Sequence, residues 1–139
     1  MSRSGCARCR RSLCLPSRIE WAASAIRCER LGPFDTGIAL SRLGEATRAE
    51  PLICEGLRRE KAAQQRGRAL HAFWLATTQL QQGKLDAACD SAGIALSLTA
   101  SIDSPRVTGH VREFHHRLAP YAREAPVIEF ERQIRGQQR

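Results

Sequence analysis

Aromatic side chains are scarce in this 139-residue chain: Phe, Trp and Tyr together make up 5% of it. A β-sandwich core wants aromatic and β-branched residues, so the shortage favours close-packed helices lined by Ala, Leu and Ile. No run of about 18 apolar residues occurs, so no segment reads as a membrane-spanning helix. No stretch alternates apolar and polar side chains with period two, the mark of a half-buried strand. The nucleophile-elbow, phosphate-loop, zinc-protease and dinucleotide fingerprints are also missing. No convergent polar set points to catalysis, so the chain reads as non-enzymatic and no cofactor is expected.

What is present suits one domain with a modest core: 42% of the residues are hydrophobic. The net charge of +8 is unevenly spread. Residues 1–33 hold seven Arg against Glu20 and Glu29, while residues 34–139 hold fifteen basic against twelve acidic residues. The front segment is therefore the strongly basic part. It also holds four of the six cysteines, Cys6, Cys9, Cys14 and Cys28. Cys6 and Cys9 have a spacing that suits zinc, but the later spacings are irregular. Arg10-Arg11 before "SLCL" faintly resembles a twin-arginine export signal, yet Pro16, Arg18, Glu20 and Arg27 interrupt the apolar stretch that should follow. The preferred reading of residues 1–33 is a basic leader, disordered over 1–17, with a short amphipathic helix over 18–30. Its composition also fits GC-rich DNA read from a mis-assigned start. Cys54 and Cys89 lie in helical patterns and read as small buried hydrophobes. Free thiols and no secretory signal lead us to expect a cytoplasmic protein.

From residue 34 to 135 the pattern is helical. "TGIALSRLG" offers Ile38, Ala39 and Leu43, stopped by Gly44. "ATRAEPLICEGLRRE" offers Ala46, Ala49, Ile53 and Leu57, with Pro51 in the early turns. "GRALHAFWLATTQLQQ" offers Leu70, Phe73, Trp74, Thr77 and Leu80, ending at Gly83. "LDAACDSAGIALSLT" offers Leu85, Ala88, Ala92, Ala95 and Leu96. Ser104-Pro105 reads as an N-cap followed by Pro at the first helical position, opening a helix with Val107, Val111, Phe114 and Leu118 on one stripe. Pro126 opens a last helix with Val127, Phe130 and Ile134, and residues 136–139 form a tail. The expected domain thus has repeats near 36–58 and 68–100 and capping helices over 104–135.

The order is periodic. Shifting the chain by 39 residues lays Gly44 on Gly83 and Ala49 on Ala88, a period typical of stacked helical hairpins. Gly83 can take the left-handed conformation that ends a helix, and Ala76, Ala88 and Ala95 present only a methyl group where two helices would come nearest. Leu80, Leu85 and Leu96 fill the flanking gaps. Ala88→Leu should overpack that crossing at a cost of roughly 1–3 kcal/mol.

At these residues the sequence resembles the tetratricopeptide repeat. Ala76, Gly83, Ala88 and Ala95 stand where that family wants small residues and a turn glycine, and Gly44, Ala49 and Gly56 repeat part of the pattern. The resemblance implies an all-α stack of antiparallel helical hairpins. Residues 36–135, above all "SPRVTGHVREFHHRLAPY", are also similar to the C-terminal helical-repeat region of actinobacterial helix-turn-helix transcriptional regulators. Residues 1–33 carry no helix-turn-helix pattern, so the resemblance implies an interaction or sensing module and not DNA binding by this chain. The expected partner is a protein or peptide held in a groove between helices, with self-association over an apolar end of the stack. The alternative is nucleic-acid binding through the Arg-rich N-terminal segment.

The remaining polar groups read as surface features. His110, His115 and His116 share one expected helix, but at 100° per residue His115 and His116 lie about 140° and 120° from His110, on opposite sides. They cannot converge on one metal, and with His71 they read as surface or half-buried. Asp86 with Asp90 reads as a solvated face, and Glu55 with Arg59 as an i, i+4 pair. Arg58, Arg59, Lys61, Arg66 and Arg68 surround a solvated inter-repeat loop. Phe73 and Trp74 point about 100° apart, so one is expected in the core and the other toward a neighbouring helix or the open surface.

Overall fold

The structure, a computed structural model, describes residues 32–139. The leader, the cysteine quartet and the expected helix at 18–30 lie outside the described residues, apart from the last residues of the leader. The described residues form six α-helices and no strand: α1 (Pro33–Arg42), α2 (Ala46–Arg59), α3 (Gln65–Gln81), α4 (Leu85–Thr99), α5 (Pro105–Arg117) and α6 (Ala125–Gln137), with a 3-10 turn at Ala119–Tyr121 before α6. The described residues are therefore all-α, and α6 takes in Gly136 and Gln137 of the expected tail.

The turns explain the pairing of helices. Gly44 has φ 81° and Gly83 φ 77°, the only positive values among the described residues. Each completes a Schellman motif: Glu45 N donates to Leu40 O and Gly44 N to Ser41 O, then Lys84 N to Gln79 O and Gly83 N to Leu80 O. A side chain at either position would be strained in this conformation. Both turns fold the following helix back along its predecessor, so α1 packs on α2 and α3 on α4 over most of their length. Ser104 does occupy the N-cap of α5, with Pro105 at its start, but its hydroxyl makes no cap bond. Its carbonyl accepts from Thr108 N at 3.0 Å instead.

Small residues line the crossings. Ala49, Ala76, Ala88 and Ala95 are completely buried. The first hairpin has one more such contact, which the repeat register implies but the spacing of apolar residues hides: Gly37, 39 residues before Ala76. A Cβ on Gly37 would stand 2.6 Å from Ile53 Cγ1, and one on Gly56 2.6 Å from Phe34 Cβ. The start of α1 thus meets the end of α2, as in an antiparallel pair.

The third pair shows the converse. Under the same shift Val127 takes the place of Ala88 and Ile134 that of Ala95, and the backbones of α5 and α6 scarcely approach each other. Phe114 and Phe130 fill the gap edge-to-face, with ring centroids 5.5 Å apart. The core is therefore not Ala, Leu and Ile alone. Its largest buried side chains are Phe73, Phe114 and Phe130, and aromatic scarcity is offset by placing three of the four Phe residues inside.

Two expected stripes turn out rotated. In α1 the buried set is Thr36, Gly37, Leu40 and Ser41, while Ile38, Ala39 and Leu43 are only half-buried. In α3 the buried set includes Ala69, Ala72, Phe73, Leu75, Ala76 and Thr78, while Leu70, Trp74, Thr77 and Leu80 are half-buried. The reason is geometric. Helix α3 packs against α2 and α4, and more lightly against α1 and α5, so alanines together with Phe73 and Leu75 face the neighbours and Leu70 and Trp74 are left half-buried.

Candidate functional site

Helix α3 lies between α1 and α5 and touches both. The C-terminal ends of α1 and α3 are tied by a polar cluster in which Thr78 Oγ1 lies 3.0 Å from Ser41 Oγ and Ser41 Oγ donates to Gln81 Oε1 at 3.3 Å. On the other side of α3, Glu50 of α2 accepts hydrogen bonds from Gln79, Gln82 and Lys84 at 3.3, 2.6 and 2.8 Å. Burial alone would raise the Glu50 pKa, but these donors outweigh it and hold the carboxyl below its ordinary value. Gln79, itself buried, also accepts from Ser91 Oγ of α4 at 2.7 Å. The first two hairpins are therefore fixed against each other.

That fixed frame presents a half-buried stripe on α3: Leu70, Trp74 and Thr77, three or four residues apart and so on one face. Trp74 is its centre. The Arg42 guanidinium of α1 sits 5.3 Å above the indole, and the His110 ring of α5 lies 5.9 Å away at an interplanar angle of 63°. Burial, helped by the positive charges of Arg106 and Arg42, lowers the His110 pKa, while Glu113 pulls it weakly the other way. His110 is thus an uncharged donor and acceptor at neutral pH, beside an aromatic plane and two guanidinium groups. The sequence leaves open which of Phe73 and Trp74 is inner; Phe73 takes the core position and Trp74 is the half-buried one. It gave no sign that Arg42 and His110 would meet Trp74, because no motif spacing links them.

The other sequence-marked residues lie apart from this face. Gly44 and Gly83 form turns, and Ala49, Ala76, Ala88 and Ala95 are packing positions with no exposed surface. His71, expected at or near the surface, is buried: its Nδ1 has no hydrogen-bond partner and sits 3.4 Å from Glu60 Oε2. The Phe34 ring stands edge-on against it, centroids 3.5 Å apart, because α1 and the end of α2 close over the start of α3. His115 pairs with Glu131 of α6 at 3.1 Å and His116 is exposed. Among the described residues no group of three or more His, Cys, Asp or Glu is placed to hold a metal ion. Arg59 and Glu55 pair at 2.8 Å, and Asp86 and Asp90 are exposed.

A depression runs between α4 and α6. It is a groove of about 710 Å³ whose walls include Cys89, Ile94, Pro126, Glu129, Phe130 and Gln133. Ile94 is 57% exposed there. Burial pushes the Cys89 thiol up to about 11, so it is not a nucleophile at neutral pH. The Trp74 face differs from this groove in bringing a guanidinium and an imidazole against an aromatic ring. No helix among the described residues is long and apolar enough to cross a membrane. No protein-family model, curated protein or solved structure matches the chain.

Proposed function

We propose that residues 34–135 form a non-enzymatic interaction module of tetratricopeptide-like hairpins that holds a protein or peptide segment across α1, α3 and α5. The observation that carries this is Trp74, kept half-buried between Arg42 and His110 on a frame with tied ends. An amphipathic aromatic flanked by planar donors is the composition of a binding anchor. A partner's apolar side chain can lie on Leu70 and Trp74 while Arg42 and His110 fix its polar groups. Holding the face rigid before binding lowers the entropy lost on association. The similarity of residues 36–135 to the repeat region of actinobacterial regulators gives the module a regulatory setting, with the chain acting in the cytoplasm on a protein ligand. A second reading rests on the seven Arg of residues 1–33: that segment binds nucleic acid by phosphate neutralisation while the hairpins bind protein.

Selection of random twelve-residue peptides displayed on phage, using the full chain as bait, tests the first reading. Enriched peptides should shift the Trp74 indole NH resonance, distinguished from that of Trp21 by Trp21→Phe, and Trp74→Ala should abolish their binding while leaving the helical circular dichroism intact. Enriched peptides that bind Trp74→Ala as well as the parent would refute it.

A further inference from the structure

The helices around Trp74 are charged differently from the other three. Helices α1, α3 and α5 hold six Arg against Asp35 and Glu113, while α2, α4 and α6 hold five Arg against six carboxylates. At the anchor the imbalance sharpens. Glu113 is paired with Arg117 at 3.0 Å. Among the described residues no carboxylate pairs with Arg42 or Arg106. Arg42 rests on the Trp74 ring, and both guanidiniums lie near enough to His110 to disfavour its protonation.

We infer that the segment held on this face is acidic, with an Asp or Glu carboxylate between Arg42 and Arg106 against the Trp74 ring. The inference rests on the reading that α1, α3 and α5 form the binding face. Three features support it. A guanidinium stacked on an indole keeps its outer N–H edge available, so Arg42 can grip a carboxylate in bidentate fashion without leaving the ring. Charge of one sign gathered around a partly dehydrated aromatic attracts the opposite sign more strongly than the same charge in open solvent. The modest excess of positive charge on these helices and their single half-buried tryptophan fit a short acidic peptide better than a nucleic acid, which relies on many phosphate contacts and successive stacked bases.

Binding of a carboxylate there would offset the two guanidiniums, so the His110 imidazole would protonate more readily in the complex. The test uses the full chain and three defined probes at one ionic strength: a ten-residue glutamate peptide, its glutamine counterpart and decathymidylate. Two readouts are followed by NMR, the Trp74 indole shift and the His110 titration. The glutamate peptide should move the Trp74 resonance and raise the His110 pKa, and the glutamine peptide should do neither. Arg42→Gln with Arg106→Gln should weaken the glutamate effect at Trp74 about five- to tenfold, consistent with two exposed charge contacts. Arg123→Gln, an exposed change outside these helices, should not. A Trp74 resonance unmoved by the glutamate peptide, but moved by neutral peptides selected from the library, would overturn the acidic assignment and leave the binding face standing. Tighter binding of decathymidylate than of the glutamate peptide at Trp74 would also overturn it, in favour of nucleic acid.

Discussion

Adding a single methyl group at Gly37 tests the packing argument most directly. Gly37→Ala places a Cβ 2.6 Å from Ile53 Cγ1, 3.1 Å from the Ile53 amide nitrogen and 3.3 Å from the Ala49 carbonyl oxygen. Ile53 is completely buried and two of the three near atoms are backbone, so a rotamer change cannot relieve the crowding and α1 must move off α2. Overpacking of this kind costs about 1–3 kcal/mol. Replacing a mid-helix glycine by alanine returns about 0.5–1 kcal/mol through backbone entropy. The contacts on backbone atoms put the first effect toward its upper end, and taken from about 2–3 kcal/mol the return leaves a net loss of about 1–2.5 kcal/mol. Gly109→Ala is the matched control: it also lies inside a helix, and a Cβ there meets nothing within 4 Å. It should stabilise by about 0.5–1 kcal/mol. Urea unfolding followed by circular dichroism measures both, and in a domain near 100 residues each kcal/mol moves the melting temperature by roughly 4–8 °C. A double-mutant cycle with Ile53→Ala should show coupling, since removing Cγ1 makes room for the new methyl. Gly37→Ala as stable as the parent, or stabilised like Gly109→Ala, would refute the claim that α1 and α2 touch through this glycine.

Two further outcomes follow from buried polar groups. Burial lowers the His71 pKa below the ordinary 6.5, against the opposing pull of Glu60 and Asp35. The fold therefore holds His71 neutral, keeps its full contribution above about pH 6.5, and loses stability as the pH falls below that value because the unfolded chain takes up the proton more readily. His71→Gln should reduce the drop in melting temperature between pH 7.5 and pH 5, and an equal drop in parent and variant would rule His71 out as its source. Glu50→Ala removes the acceptor shared by Gln79, Gln82 and Lys84. It should cost about 1–3 kcal/mol by leaving the Gln79 amide short of a partner, and a loss below about 0.3 kcal/mol in urea unfolding would show that the first two hairpins do not depend on this clamp.

The histidines and the first helix show where reading the sequence stops being sufficient. Gly44 and Gly83 could be assigned as turns because a left-handed residue between two periodic stretches is a local demand. Ala88 and Ala95 are legible because a shift of 39 lays Ala49 and Gly56 on them. Gly37 obeys the same register, yet Ile38 and Ala39 beside it look more apolar and draw the core to the wrong face. The sequence alone places His71 at the surface or half-buried, because nothing in its neighbours in sequence reveals that Phe34, from another helix, stands over its ring. The candidate site was legible only as an aromatic pair of which one member would be spare.

The sequence by itself determined the helical class, the hairpin turns and the small residues at the crossings. Each of these depends on backbone preference and side-chain size within a few residues, or on a repeat that can be laid on itself. Only the tertiary structure decided which side of α1 and α3 is inner, and that Arg42, Trp74 and His110 meet. Those three are separated by 32 and 36 residues, and their meeting is set by how α1 and α5 flank α3, a rotation and offset fixed by packing against all the neighbours at once.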